Sequence, residues 1–434
     1  MKSLCLIFRV HQPLPLRKYR FFDIGADHGY YDDYTLENHM KKLAVECYLP
    51  ATDLLLNQVS RYGGAMKAAI YLSGSTLELF NRYTPGVTAR FRELASTGQI
   101  EFLGGTWSHS LACLASEQAL ALQAGNHQAA IRDLTGQTTE VFLNPGLLYS
   151  DEIGQMAANL GYKGIITEGA RHILGWKSPG FLYCNPLQPR LKVLMRHYKL
   201  SEDLECRFSD PHWEGFPLTA DKYFGWLLNG GQPAESIHLC LDLETFGHYH
   251  PASSGIFRFL DHLLYLINHS GEISLSTPSE ILNSLQPVSM INVPNPLSQA
   301  GEERDASLWI GNDLQNEALN LLYGIADMVT ATQDPRILCD WHQLQDSDHF
   351  RFMSENTPAP PLHHRKSPYN SPYEAFLNYM NILNDLTIRV KSHFSGPSPE
   401  EIIRNLKNRV NDLEKEIEKS KEEIHRLRKR KKGH

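Results

Sequence analysis

Carboxylates at the ends of apolar segments are the residues of this sequence whose type and position best suit chemistry. Glu168 directly follows three β-branched residues, where burial and neighbouring groups can set the pKa of a carboxyl group. Asp242 and Glu244 end the apolar run that begins at Ile237. Side chains alternate in an extended strand, so we expect these two carboxylates to point to the same side. An apolar strand carries two inward carboxylates only where they have a partner or a function.

Two carboxylates on different strands suit the hydrolysis of a glycosidic bond. One attacks or stabilises the anomeric carbon, and the other protonates the leaving oxygen. Glu168 and Asp242 are our candidates for these roles, although a structural role for Glu168, as a helix cap or a salt-bridge partner, is an equal alternative. Tryptophans are available to stack on sugar rings, but most aromatic side chains are core residues. They include Trp107, Trp176, Trp213 and Trp341.

The same part of the sequence also offers ligands for a metal ion. The set is rich in the nitrogen and oxygen atoms that zinc and other divalent ions bind. A metal hydrolase, such as a polysaccharide deacetylase-like enzyme, is therefore the rival hypothesis. The sequence shows neither a serine-triad signature nor a catalytic-cysteine context. The candidate ligands are His11, Asp242, Glu244, His248 and His250.

Short apolar runs that alternate with amphipathic stretches must position these residues. The runs are mostly uninterrupted, which is typical of strands buried on both faces. Their repeated strand–helix order predicts an α/β fold with parallel strands joined by right-handed crossovers. Polar residues follow many of the runs, and this favours a TIM-like barrel over an open sheet. The predicted strands are Leu4–Val10, Ala68–Ser73, Gln99–Leu103, Val141–Leu143, Gly164–Thr167, Leu191–Met195, Ile237–Leu243 and Glu272–Leu275.

The alternation of short apolar runs with amphipathic stretches ends at about Pro287, which predicts a second region after it. Residues 1–287 would form the catalytic barrel. Residues 288–395 would form a helical subdomain that completes the active-site cleft, with amphipathic helices at Ala306–Thr332 and Tyr373–Phe394.

Residues 396–434 would form a linker and a charged, coiled-coil-like tail. From Ile403 to Leu427 the apolar residues follow 4-3 spacing, with charged residues at most other positions. This pattern predicts a homo-oligomer formed through residues 400–430. The alternative is a helix laid along the body of its own chain.

Composition narrows the class of protein further. The 434 residues carry a net charge of −7, and an acidic body repels phosphate backbones, so we expect no nucleic-acid partner. Neither a transmembrane run nor a signal peptide is visible, so we predict a cytoplasmic protein without a membrane partner. The seven cysteines show no CxxC spacing, and neither GxGxxG nor GxxxxGK[ST] follows a predicted strand.

Several ordered motifs resemble those of glycoside hydrolase family 57, whose members act on α-glucans. The similarity is greatest to the intracellular α-amylase and 4-α-glucanotransferase types, with further matching segments at 173–179, 207–209, 217–223, 347–350 and 371–376. It covers about residues 1–395 and leaves out the heptad tail. The four leading motifs are 11–13, 98–105, 164–169 and 242–247.

The resemblance implies an incomplete TIM barrel of the (β/α)7 type, and a retaining double displacement that needs no metal or other cofactor. By motif position, Glu168 would be the nucleophile and Asp242 the general acid/base. A nearby Glu244 would raise the pKa of Asp242 by like-charge repulsion. His11 and Glu101 would line the −1 sugar subsite. Further candidates for substrate binding in the same cleft are Trp107, Arg207, Glu244 and His349.

Three departures from the family pattern affect the functional hypothesis. The amylase-type members commonly show an Arg-Asn-Thr-Glu run after the fourth strand, where this chain has residues 143–146, Leu-Asn-Pro-Gly. The usual Glu-His order after Gly247 is replaced by His248-Tyr-His250, and the heptad tail is additional.

The leading hypothesis is a retaining, α-amylase-like hydrolase of α-1,4 bonds in starch, glycogen or maltooligosaccharides. A 4-α-glucanotransferase or branching-type transglycosylase using the same site is one alternative. A catalytically silent glycan-binding protein is another, motivated by the departures near the acid and by the added tail.

Overall fold

A computed structural model of the chain describes residues 1–229, 234–356 and 366–394, with residues 403–404, 406–411, 413–415, 417 and 421 of the tail. It shows an α/β fold, as the alternation of runs predicts. All eight predicted strands are present, and three strands of two residues each add to them. The strands are β1 (Lys2–Val10), β2 (Ala68–Leu72), β3 (Ile100–Phe102), β4 (Gly104–Gly105), β5 (Val141–Leu143), β6 (Gly164–Glu168), β7 (Tyr183–Cys184), β8 (Lys192–Arg196), β9 (Ser236–Asp242), β10 (Ile273–Leu275) and β11 (Ser289–Met290).

The long strands are buried on both faces, which explains their uninterrupted apolar sequences. In β1, Leu4, Leu6 and Phe8 belong to an outer cluster that packs against helices, whereas Cys5 and Ile7 belong to an inner cluster. Alternate residues of the other strands complete this inner cluster. Those members are Ala69, Tyr71, Val141, Leu143, Ile166, Leu194 and Cys240.

Hydrogen bonding divides the strands into two sheets. One has the order β10–β1–β2–β3, with β9 also paired to β1, and the other has the order β11–β7–β8–β6–β5–β4. The pairs are parallel except for β7 with β8. The sheets adjoin at two places. Leu103 alone separates β3 from β4, and the amide of His197, just after β8, donates to the carbonyl of His238 in β9 at 2.8 Å.

Helices cover the outside of the strands, and local sequence sets several of their ends. Ser116 and Ser150 cap helices by accepting a hydrogen bond from the backbone three residues on. Pro85 begins a new helix and so separates α3 from α4. The helices are α1 (Asp33–Leu43), α2 (Leu49–Tyr62), α3 (Gly74–Tyr83), α4 (Pro85–Ser96), α5 (Ala112–Ala115), α6 (Glu117–Thr135), α7 (Asp151–Asn159), α8 (Arg171–Leu174), α9 (Tyr198–Glu205), α10 (Ala220–Asn229), α11 (Ile256–Ser270), α12 (Pro278–Ser284), α13 (Ser307–Ile310), α14 (Asp313–Gly324), α15 (Ala326–Thr332), α16 (Pro335–Leu344), α17 (Ser347–Arg351) and α18 (Pro372–Phe394).

The helices α13–α18 share a core with the preceding strands. Their buried apolar residues form one cluster with residues of β5, β6 and β8. Buried Asp385 of α18 accepts hydrogen bonds from the Gly25 amide at 2.6 Å and from the Tyr30 hydroxyl. The proposed boundary near residue 287 remains a prediction. β11, just beyond this position, pairs with β7 of the preceding region.

The tail is described only in part. Its described residues within 403–421 are helical, and their apolar side chains are each about half exposed, between 47% and 60%. They are Ile403, Leu406, Val410, Leu413 and Ile417. The remaining heptad positions, Ser420, Ile424 and Leu427, lie outside the described residues. Among the helices that the structure describes, none has the length and apolar character required to cross a bilayer.

Candidate active site

The interior of the strands changes from apolar to charged at their C-terminal ends. Arg9, Glu168, Arg196 and Asp242 each lie two residues after a member of the inner cluster. Because side chains alternate along a strand, all four continue the inner face. They stand on β1, β6, β8 and β9, and each is at most 3% exposed. Four ionisable groups buried together must be paired with opposite charges and hydrogen-bond partners.

Arg196 connects Glu168 to a second carboxylate. One guanidinium nitrogen lies 2.9 Å from Glu168 Oε2, and the other lies 3.1 Å from Oε2 of Glu205, on α9. The remaining N–H of Arg196 donates to the carbonyl of Cys240 at 2.9 Å. Burial alone would lower the pKa of Arg196, but Glu168 and Glu205 outweigh it and raise the pKa. The guanidinium therefore stays charged.

Arg9 makes the corresponding connection to Asp242. It lies 3.0 Å from Asp242 Oδ1 and 3.2 Å from Glu205 Oε1, and it donates to Gln299. Asp242 also accepts a hydrogen bond from the Tyr249 hydroxyl at 3.0 Å, and its backbone N–H donates to Glu205 at 2.8 Å. Glu205 is therefore the carboxylate that links the two candidate catalytic residues.

Arg304 covers the other side of Glu168. Its guanidinium lies 2.6 Å from Glu202 of α9 and 3.8 Å from Glu168, and its side chain is 16% exposed. We call Arg9, Glu168, Arg196, Glu202, Glu205, Asp242 and Arg304 the ionic cluster.

Four carboxylates and three guanidiniums make up the ionic cluster, so full ionisation would leave one uncompensated negative charge. Burial, and then the charge of Asp242, raise the pKa of Glu205 to about 7. Burial also raises the pKa of Glu168, and Arg196 and Arg304 oppose this shift. These shifts favour the protonated form of a carboxyl group in the cluster, and Glu205 is the member whose pKa is raised to near neutrality.

Glu244 does not lie beside Asp242 on a strand, so this part of the sequence prediction was wrong. β9 ends at Asp242, and residues 243–245 form a 3-10 turn that redirects the chain. The Glu244 carboxylate accepts hydrogen bonds from Gln12 Nε2 at 2.7 Å and from the Tyr48 hydroxyl at 2.6 Å. The alternation rule failed here because it applies only while the strand continues.

A small cavity lies beside Asp242, and we call it the Asp242 cavity. His11 is on its wall, stacked on His109 with ring centroids 4.1 Å apart. Gly146 is also on the wall, whereas Glu168 is not. The lining residues are Arg9, His11, His109, Gly146, Asp242, Gln299, Trp309, Ser347 and Asp348.

The other predicted substrate-binding residues are dispersed around the site. Glu101 of β3 accepts hydrogen bonds from the amide and hydroxyl of Ser279, at 2.9 and 2.6 Å, away from the Asp242 cavity. Arg207 pairs with Asp203 and lines two larger cavities, one of which also contains Glu202 and Arg304. Trp107 packs over Gly74 and near His342, outside the lining of the Asp242 cavity. His349 is buried in α17, next to Asp348.

The residues proposed as a metal set from the sequence are not gathered by the fold. His248 faces Glu46 at 3.7 Å on the outside, and the His250 ring donates to the Leu204 carbonyl at 2.9 Å. Glu244 is held by Gln12 and Tyr48, as described above. The rival metal hydrolase therefore lacks its predicted ligand arrangement.

Sequence reasoning missed most of the charged partners in the ionic cluster. Arg9 and Arg196 could have been found, because each lies two residues beyond an inward apolar residue at a strand end. Glu202 and Glu205 are spaced i,i+3 on α9, a spacing that occurs on many exposed helix faces. Arg304 comes from a loop with no local signal.

Comparison with known proteins identifies the family of this fold and site. The sequence profile of glycosyl hydrolase family 57 matches residues 5–294, and the chain belongs to that family. This membership assigns it to the glycoside hydrolases.

One curated relative is similar over nearly the whole chain. It is a protein of Methanocaldococcus jannaschii named "Putative alpha-amylase", which is 32% identical over 432 residues, spanning 96% of this chain and 89% of the relative.

Solved structures share the fold at low sequence identity. A 4-alpha-glucanotransferase from Thermococcus litoralis matches with a TM-score of 0.62 and 15% identity, over 81% of this chain and 56% of that chain. This chain thus spans little more than half of the glucanotransferase. The alpha-amylase AmyC from Thermotoga maritima matches with a TM-score of 0.61 and 13% identity, over 93% of this chain and 96% of that chain.

Proposed function

We propose that this chain is a retaining, α-amylase-like hydrolase that cleaves α-1,4 bonds of α-glucans, with Glu168 as nucleophile and Asp242 as general acid/base. The proposal rests on one observation. These two buried carboxylates, on β6 and β9, are linked to each other through the ionic cluster, in a chain that belongs to family 57. The two places where the sheets adjoin, at Leu103 and at His197, support an incomplete seven-stranded barrel as the fold that positions these carboxylates. A cytoplasmic location and an α-glucan partner belong to the same proposal.

In this reaction Glu168 attacks the anomeric carbon while Asp242 gives its proton to the leaving oxygen. The glycosyl–enzyme ester is then cleaved by water, whose proton returns to Asp242. Arg196 favours the ionised form that a nucleophile needs, against the effect of burial. Glu205 accepts the backbone N–H of Asp242 and contacts Arg9, so it holds both groups in position beside the reaction.

Substrate must reach Glu168 from the side of Arg304 in this proposal. Glu168 is fully buried, but Glu202, Arg304 and Ala170 line a cavity next to it. Arg304 has a left-handed backbone, with φ of 55°, in the loop that forms this wall. Displacement of the Arg304 side chain would expose the Glu168 carboxylate. A retaining mechanism also requires the carboxyl groups of Glu168 and Asp242 to be about 5–5.5 Å apart during the reaction.

A catalytically silent glycan-binding protein is the second candidate, and one observation favours it. The Asp242 cavity has Gly146 on its wall, at the position where amylase-type members show the Glu of Arg-Asn-Thr-Glu. A Cβ atom at Gly146 would lie 2.1 Å from the Trp309 ring, so the indole fills the space of a side chain. In this alternative Asp242 contacts a sugar bound in the cavity, whereas Glu168, which does not line the cavity, does not act on that sugar.

The test is product analysis with maltoheptaose and soluble starch, in the presence of EDTA, for wild type, Glu168→Gln and Asp242→Asn. The control is Glu140→Gln, a change at a surface residue paired with Lys163. The proposal predicts new reducing ends with wild type and control, and loss of at least about 100-fold with either site variant. Products longer than the substrate would indicate transfer to a sugar acceptor.

A second assay separates the two carboxylate roles. With an aryl α-maltoside, azide should restore activity to Glu168→Gly and give the β-glycosyl azide, because azide replaces the missing nucleophile. With Asp242→Gly it should give the α-glycosyl azide from the covalent intermediate. Glucan binding by wild type with no reducing-end release would support the silent candidate, and full activity in Glu168→Gln would refute Glu168 as nucleophile.

A further inference from the structure

A further cavity lies between α9 and α10, and we call it the α9–α10 cavity. Its volume is about 740 Å³, and small-molecule sites typically occupy about 300–1,000 Å³. None of its described lining residues belongs to the ionic cluster or lines the Asp242 cavity. The cavity next to Glu168 that Arg304 lines is separate from it, and we call that one the entry cavity.

α9 forms a wall between these two cavities. Tyr198 and Glu202, which are four residues apart, line the entry cavity. Lys199 and Asp203 have the same spacing and line the α9–α10 cavity, because residues four apart share a helix face. Arg207, just after α9, lines both cavities. The two cavities therefore adjoin at Arg207.

Two tryptophan rings lie on the wall of the α9–α10 cavity. The centroids of Trp213 and Trp226 are 6.0 Å apart, with their planes at 74°. Both side chains pack on the outer apolar cluster and are partly exposed. A Cβ atom at Gly215 would lie 2.5 Å from the Trp213 ring, so this glycine lets the ring lie directly against the backbone. Aromatic rings of this kind offer flat apolar surfaces to a ligand.

The face of α10 beside these rings is open. Lys222, Gly225, Trp226 and Asn229 all line the cavity, at spacings that place them on one side of the helix. A Cβ atom at Gly225 would meet no described neighbouring atom within 4 Å. Glycine weakens the middle of a helix, and packing against the described residues does not require it here. Gly225 therefore leaves room beside the Trp226 ring.

The charges around the cavity suit a neutral ligand with many hydroxyl groups. Arg207 is paired with Asp203, while Lys222 Nζ donates to the Gly215 carbonyl at 2.7 Å and lies 5.5 Å from the centroid of the Trp226 ring. These contacts compensate most of the positive charge that an anionic ligand would need. Donors and acceptors next to aromatic rings can instead bind hydroxyl groups. The charged lining residues are Lys199, Asp203, Arg207, Glu214 and Lys222.

We propose that the α9–α10 cavity is a second, non-catalytic binding site for a segment of an α-glucan chain. Trp213 and Trp226 pack against glucose rings, and the polar side chains around them bind the hydroxyl groups. The choice of α-glucan as the sugar rests on the proposed function, whereas binding itself requires no turnover. A long chain can occupy the entry cavity and this site together past Arg207, so it binds more tightly than a chain that reaches only one of them.

Gly225→Leu tests the site by filling it. The matched control is Gly125→Leu in α6, because Gly125 does not line the cavity and an added Cβ there also meets no described neighbour within 4 Å. Leucine favours a helix more than glycine does, so both variants should fold. Each full-length protein is run in the cold on native gels that contain increasing amounts of soluble starch, and the retardation gives its affinity.

The affinity of Gly225→Leu for starch should be about tenfold or more below that of wild type, and the control should match wild type. Equal retardation of the three proteins, or no retardation of wild type, would overturn the proposal.

A second measurement needs no loss of binding. The six tryptophans are labelled with 5-fluorotryptophan, and the ¹⁹F resonances of Trp213 and Trp226 are assigned with the Trp213→Phe and Trp226→Phe variants. Maltoheptaose should shift both resonances, and shifts confined to other tryptophans would overturn the proposal. Binding at this site without release of reducing ends would refute only the proposed function.

Discussion

Replacing Glu205 by Gln should change how the stability of the protein depends on pH. Burial and the charge of Asp242 raise the pKa of Glu205 from its usual 4.5 to about 7 in the folded protein. Between these two values the folded state holds a proton that the unfolded state has lost. The stabilisation is thus fully present below pH 4.5 and is lost as the pH rises through 7.

The size of the effect follows from the shift. A displacement of about 2.5 pKa units corresponds to roughly 3 kcal/mol, at about 1.36 kcal/mol per unit. Gln resembles the protonated carboxyl group in size and lacks the titration. The free energy of unfolding of wild type should therefore fall relative to that of Glu205→Gln by roughly this amount between pH 5 and pH 8.

Urea unfolding followed by circular dichroism at pH 5, 6, 7 and 8 measures the difference. Glu140→Gln is the control, because it removes a carboxylate that forms a surface pair with Lys163 and lies outside the ionic cluster. Parallel stability curves for wild type and Glu205→Gln would refute the reasoning, since they would show that Glu205 does not hold the proton of the ionic cluster.

Three further predictions concern the framework around the site. Arg196→Met leaves Glu168 and Glu205 buried without their shared guanidinium. We expect the free energy of unfolding, measured in urea, to fall by about 3–5 kcal/mol. A decrease below about 1 kcal/mol would contradict the role of Arg196 in this network. Gly247→Ala should lower the melting temperature by several degrees more than Gly255→Ala. Both positions have positive φ, but only at Gly247 would a Cβ meet a backbone oxygen, at 1.9 Å. Deleting residues 397–434 should lower the mass seen by light scattering while activity is retained, and an unchanged mass would argue against an oligomer formed by the tail.

The strands were predictable because each is buried on both faces. The β1 sequence packs Leu4 and Leu6 outward and Cys5 and Ile7 inward, so it reads as one apolar run. The three unpredicted strands have two residues each, too few for any periodicity. Their pairing is decided by neighbours, as for Gly104–Gly105 beside β5.

The positions of the candidate catalytic residues were predictable only where they coincide with strand ends. Glu168 and Asp242 do so, whereas Glu244 lies beyond the point at which β9 stops. Their charged partners come from the strands β1 and β8, from α9 and from the loop that carries Arg304. Arg304 is distant in sequence from Glu168, and long-range contacts of this kind leave no local pattern.

The position of Asp348 on the wall of the Asp242 cavity also sets an order of events during synthesis. The strands that carry Glu168 and Asp242 leave the ribosome about a hundred residues before Asp348 does, an interval on the order of 5–20 s at typical elongation rates. During that interval the nascent chain has its candidate catalytic carboxylates but not the helices that complete the Asp242 cavity. A chain that stops early would therefore expose the apolar surfaces of β5, β6 and β8 that these helices cover, and it would be a substrate for chaperones or proteases rather than a partly active enzyme.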